Sequence, residues 1–134
     1  MNKVKALLYQ VRDEQKEINI IREQIAQAEL ALLPSAIRYD QDKVQSSPSD
    51  PMIRMAEKVE RYEGQLRKHL DRIMTRRQRA FVLVRRVKDP MQRQVLELFF
   101  LDERRLSMAQ VAETIGYTER QTYRIYKDAL RKCQ

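Results

Sequence analysis

The chain has 134 residues, of which 34% are charged, with a formal net charge of +8, two glycines, four prolines and one cysteine. So few helix breakers describe a mostly helical protein of one domain, or of one small domain with an extended appendage, and the positive balance favours a polyanionic partner. The lone Cys133 excludes an intramolecular disulfide and fits a reducing cytoplasm, no apolar run approaches the ~20 residues of a membrane span, and the start MNKVKALLYQV is too weakly apolar for a signal peptide.

Residues 4 to 32 carry an apolar series at Val4, Leu7, Val11, Ile18, Ile21, Ile25, Ala28 and Leu32, with steps of three and four and Glu14 as the one break. This is a heptad seam, and a helix of about 29 residues would extend roughly 43 Å. Its charges balance, so it is built to meet another helix rather than DNA. Residues 33 to 51 read as a linker, because Pro34, Pro48 and Pro51 with Ser46, Ser47 and Ser49 interrupt helix repeatedly. Asp40 and Asp42 lack the further carboxylates and the glycine of a calcium loop. Asp50 as N-cap and Pro51 at the first helical position start a second long helix, expected to run to about 88. Its apolar stripe is read at Met52, Met55, Val59, Tyr62, Leu66, Leu70 and Ile73, continuing through Phe81, Val84 and Val87.

The carboxyl half of that helix is strongly basic. Between 67 and 88 lie Arg67, Lys68, Arg72, Arg76, Arg77, Arg79, Arg85, Arg86 and Lys88 against Asp71 alone. Arg72, Arg76 and Arg79 are therefore candidate DNA phosphate contacts, which add affinity and salt sensitivity without reading sequence. Asp89-Pro90 then repeats the helix-start signal. Met91, Val95, Leu96, Phe99 and Phe100 form the apolar side of the helix that follows, and LDERR at 101 to 105 is a connecting loop.

From Leu106 to Lys132 the chain reads as two short helices around one glycine. Ser107 with Gln110 forms a capping box, Leu106 and Val111 have the spacing of a hydrophobic staple, and the helix should cover Met108 to Ile115. Gly116 ends it in a left-handed conformation. Thr118 with Gln121 forms a second capping box. On the helix after it, Thr122, Ile125, Ala129 and Cys133 make the packing stripe, while Arg120, Arg124, Lys127 and Arg131 make a basic stripe on the opposite face. Helices of this size joined by a tight turn suit a helix-turn-helix, whose second helix enters the major groove. Arg120 and Arg124 can offer bidentate hydrogen bonds to guanine, Gln121 can bond adenine, and Glu119 and Tyr123 lie beside them. Lys127 and Arg131, with the cap residues Ser107 and Thr118, are candidate phosphate contacts.

This stretch resembles region four of bacterial sigma factors, matching its typical run at Leu106, Ser107, Ala112, Gly116, Thr118, Ile125, Ala129, Leu130, Arg131 and Lys132. The resemblance covers roughly 90 to 133. It implies a three-helix DNA-binding head whose base-reading positions fall at Glu119, Arg120, Tyr123 and Arg124, with identities that differ from the housekeeping pattern. The linker LPSAIRYDQDKVQSSPSDPM, set ahead of a long helix and this module, is similar to small prophage-encoded regulators of the ArpU and RinA type. That resemblance implies action on phage transcription.

The expectation is an all-α protein in two parts. Residues 1–89 form two long antiparallel helices joined by the linker 33–51, paired within one chain or across a homodimer. Residues 90–134 form the helix-turn-helix head. The expected function is a sequence-specific transcription regulator that binds double-stranded DNA. A phage terminase small subunit and a module docking on RNA polymerase are the competing readings. No catalytic residue, metal ligand set or cofactor motif stands out, and the single histidine, His69, has no partner at ligand spacing.

Overall fold

The computed structural model describes residues 2–32 and 50–133. The linker 33–51, with Tyr39, Asp40, Asp42 and Val44, lies outside the described residues except for Asp50 and Pro51, which belong to the first turn of a helix. The described residues are helical and contain no strand. The order is α1 (Lys3–Leu32), α2 (Asp50–Arg85), α3 (Pro90–Leu96), a π-helical segment (Glu97–Leu101), α4 (Met108–Ile115) and α5 (Glu119–Lys132). Two compact units divide these elements. One holds Met1–Glu17 with Arg72–Gln134, and the other holds Ile18–Asp71. Compactness therefore groups residues along a different line from the sequence division at 89/90, because the ends of both long helices are built into the head.

In the first unit the chain folds as its local signals direct. Asp89 accepts hydrogen bonds from the backbone N–H groups of Met91 and Gln92 at 2.9 and 3.2 Å, and so starts α3. Ser107 and Gln110 form both halves of their capping box. Gly116 has φ +79°, a left-handed conformation that costs a residue with a Cβ roughly 1–2 kcal/mol. In the loop ahead of α4, Asp102 binds the side chain and backbone N–H of Arg104, and Arg105 takes a left-handed φ of 51°. The neighbouring Arg104 holds the Asp102 carboxyl below the usual carboxylate range.

The core of this unit gathers Leu8 and Val11 of α1, Ala80 and Val84 of α2, Val87 just beyond it, and Val95, Leu96, Phe100, Leu106, Val111, Tyr126, Ala129, Leu130 and Cys133. Glu14 pairs with Arg76, while the earlier Leu8 and Val11 join the later Ala80 and Val84, so here α1 and α2 run antiparallel. The π-helical segment was not anticipated. Its wider turn lets the adjacent Phe99 and Phe100 both turn inward, with rings 5.0 Å apart edge to face. The last carbonyls of such a segment have no partner of their own. Arginines from the two long helices supply them, Arg12 donating to the Phe99 carbonyl and Arg77 to that of Leu101. Burial, and then the charge of Arg105, lower the pKa of Arg12, whose guanidinium lies 4.1 Å from the centroid of the Phe99 ring.

In the second unit Ile18, Ile21, Ile25 and Ala28 bury one face of α1, as the heptad pattern anticipates. Arg67 of α2 bridges Glu29 at 2.7 Å and Glu63 at 3.0 Å. The stripe read on α2 holds in part. Val59, Leu66 and Leu70 are half-buried and Ile73, Val84 and Val87 are buried, as anticipated, with Ala56, Glu63 and Ala80 joining them, whereas Met52, Met55, Tyr62 and Phe81 are exposed. Gly64 does not serve a close helix approach, since a Cβ built there meets nothing within 4 Å.

Candidate nucleic-acid interface

The helix-turn-helix is closed by its caps. Thr118 Oγ1 accepts the backbone N–H of Gln121 at 3.1 Å, and Gln121 Oε1 accepts both the backbone N–H and the hydroxyl of Thr118 at 3.1 Å. The Thr118 hydroxyl proton is thus held inside the cap. Ser107 differs. Its Oγ accepts from Gln110 N at 3.2 Å, and its own proton points to no acceptor among the described residues, which leaves it able to donate to a phosphate oxygen.

On α5, Thr122, Tyr126, Ala129 and Leu130 are buried and pack the helix onto the head. Arg120, Arg124, Lys127 and Arg131 are all exposed on the other side. Arg120 and Arg124 make no hydrogen bond or ion pair among the described residues, so their guanidinium groups stand available to a ligand. Arg131 pairs with Asp128 along the same helix. Such an exposed pair contributes little to stability and yields readily to a phosphate. Glu119 is exposed in the first turn. Gln121 has its carbonyl oxygen committed to the cap, so two-point reading of adenine through oxygen and nitrogen requires the cap to open, and its amide N–H groups alone remain on offer.

Tyr123 is 48% exposed and stacks on Tyr126 with centroids 5.6 Å apart and planes at 27°. Lys127 Nζ lies 4.8 Å from the Tyr123 centroid. Below this surface Tyr126 is buried and shares a hydrogen bond with the Tyr9 hydroxyl of α1, while Phe99 packs edge-on against it at 5.5 Å. Burial first, and the Tyr9 contact second, raise the Tyr126 pKa far above the ordinary tyrosine value. Neither the Tyr9–Tyr126 link nor the burial of Tyr126 was legible in the sequence. The partner, Tyr9, is 117 positions away.

The basic residues of α2 divide into two sets. Arg72 and Arg79 are exposed and make no ion pair among the described residues. Arg76 is different from its expected role. Both its Nε and one terminal nitrogen donate to the Glu14 carboxylate, the side chain is only 28% exposed, and the bond to Glu14 raises its pKa. Its charge is spent within the head. A groove of about 770 Å³, lined by Met74, Phe81, Met91, Leu98 and Ile115 among others, opens between α2, α3, the π-helical segment and α4. No group of side chains among the described residues could hold a metal ion.

Residues 89–134 match the family model of sigma-70, region 4. The match falls on α3, the π-helical segment, α4 and α5, and makes this segment similar to the DNA-binding helix-turn-helix of sigma region 4. The long helices α1 and α2 lie outside it. No curated protein and no solved structure shows significant similarity to the chain. Arg120 and Arg124 stand in the first two turns of α5.

Proposed function

We propose that the protein is a sequence-specific DNA-binding transcription regulator of phage or prophage type, acting in the cytoplasm without catalysis. The observation that carries this reading is the pair of unpartnered guanidinium groups, Arg120 and Arg124, at the start of an exposed basic helix in a region-4 segment. The region-4 helix enters the major groove, Arg120 and Arg124 each pair with guanine, and Glu119 and Tyr123 discriminate at neighbouring bases. Lys127, Arg131, Ser107, Arg72 and Arg79 hold phosphates and fix the register. The prophage assignment rests on the resemblance of the linker and long helix to ArpU- and RinA-type regulators. Arg124→Ala should cost ~1–3 kcal/mol of affinity for the preferred duplex and leave binding to shuffled duplexes nearly unchanged. Fluorescence anisotropy measures both. Equal losses on the two duplexes would remove Arg124 from base reading.

A second reading, docking on RNA polymerase, draws on the apolar groove beside α2. Phe81 is 43% exposed and Met74 is 38% exposed there, on a helix face that is otherwise polar. Co-purification of core polymerase with the unmodified chain but not with Phe81→Ser supports this partner. Retention by both variants, or by neither, counts against it.

A further inference from the structure

The first turns of α1 lie against the second helix of the helix-turn-helix. Asn2 and Lys5 line one surface groove together with Tyr123, Lys127 and Arg131 of α5, above a floor that includes Phe99. Lys5 is exposed and makes no ion pair among the described residues. Although α1 is neutral over its length, its first acid is Asp13, and Lys3, Lys5 and Arg12 precede it. The end of the helix at this groove is therefore purely basic.

The dimensions of DNA decide what such a position meets. A major groove is about 12 Å wide, and a helix with its side chains is about 10–12 Å across. A helix seated there fills the groove, so whatever flanks it faces a wall of phosphates. Of the exposed basic residues of α5, Lys127 and Arg131 line this groove and Arg120 and Arg124 do not, so Lys5 stands beside the two read as phosphate contacts.

We propose that α1 is part of the DNA-binding surface, with Lys5 contacting a backbone phosphate next to those held by Lys127 and Arg131. This rests on the reading of α5 as the groove-entering helix. The role is specific to this chain's plan, since α1 lies outside the region-4 segment and is brought to it by the Tyr9–Tyr126 contact and by Leu8 and Val11 in the core.

The test is a salt series of duplex binding by fluorescence anisotropy, with one random-sequence duplex and three full-length proteins: unmodified, Lys5→Ala and Lys16→Ala. Lys16 is exposed on α1 three turns further along, about 16 Å away, and loses the same charge. Lys5→Ala should flatten the slope of log K against log salt by about 0.9 and weaken binding about 5-fold near 0.15 M salt, while Lys16→Ala follows the unmodified protein. If both variants follow the unmodified line, or both fall below it equally, the proposal is overturned and α5 alone accounts for binding. If the unmodified chain shows no salt-dependent duplex binding, the DNA reading itself fails and takes this proposal with it.

Discussion

At the scale of single residues, the phenol of Tyr126 joins stability to the binding surface. It is 4% exposed, it supports the stacked Tyr123, and its neutral form alone suits its burial and its bond to Tyr9. Burial likewise raises the pKa of the Cys133 thiol, whose Sγ lies 3.6 Å from the Leu83 carbonyl. Both groups hold their proton more tightly in the folded chain, so the unfolded chain releases it first as pH rises. The stabilisation is complete below the ordinary values of about 9 for a thiol and about 10 for a phenol, and is lost above them. Urea unfolding should therefore show stability falling between about pH 9 and 11. Tyr126→Phe should lower stability by about 1 kcal/mol at neutral pH through loss of the hydrogen bond, and should flatten the alkaline decline. An unchanged decline in Tyr126→Phe would assign it to other groups.

At the scale of elements, the Glu14–Arg76 pair ties α1 to α2 within the head. It is partly shielded from solvent, with side chains 12% and 28% exposed, so removing one partner strands a charge that water only partly reaches. Arg76→Ala should lower the unfolding free energy by about 1–2 kcal/mol and leave the salt slope of DNA binding unchanged. Unchanged stability with a shallower slope would instead make Arg76 a phosphate contact. The elements themselves were largely legible, because caps act over three residues. Asp89, Ser107, Gly116 and Thr118 marked the helix boundaries from α3 onward with little or no error. The seam of α1 was legible too, although Leu8 and Gln15 also enter it. The seam of α2 was legible in part, at Val59, Leu66, Leu70, Ile73 and Val84. Its inward positions include Ala56, Glu63, Arg77 and Ala80, which are small or charged, while large apolar residues such as Met55 and Tyr62 face outward. Choosing the largest apolar residues therefore mixes outward positions into the stripe. The π-helical segment was hidden for a related reason. The widened turn at Glu97–Leu101 has long-range support from Arg12, Arg77, Tyr9 and Tyr126, which no local signal announces. The neutrality of α1 is an average, whereas the groove beside α5 is lined by Lys5 and Tyr9 from its first turns.

At the scale of the whole molecule, the net charge of +8 overstates the electrostatic surface in one region and understates it in another. Two arginines of the basic run are engaged inside the head, Arg76 by Glu14 and Arg77 by the Leu101 carbonyl, while Arg67 with Glu29 and Glu63, and Arg85 with Glu97 at 2.9 Å, stand in exposed pairs. The exposed basic residues left for a polyanion include Arg120, Arg124, Lys127 and Arg131 of α5, Lys5 of α1, and Arg72, Arg79 and Arg86 with Lys88 on and just after α2. An array of this kind gives any duplex a salt-sensitive attraction, and only the base-facing arginines add a preference among sequences. The most direct measurement is fluorescence anisotropy of the unmodified protein against duplex tiles from around its own gene, each paired with a shuffled duplex, across a salt series. At least one tile should stay bound near physiological salt where its shuffled partner is released. Weak and equal binding of every tile and its shuffle would contradict sequence-specific regulation.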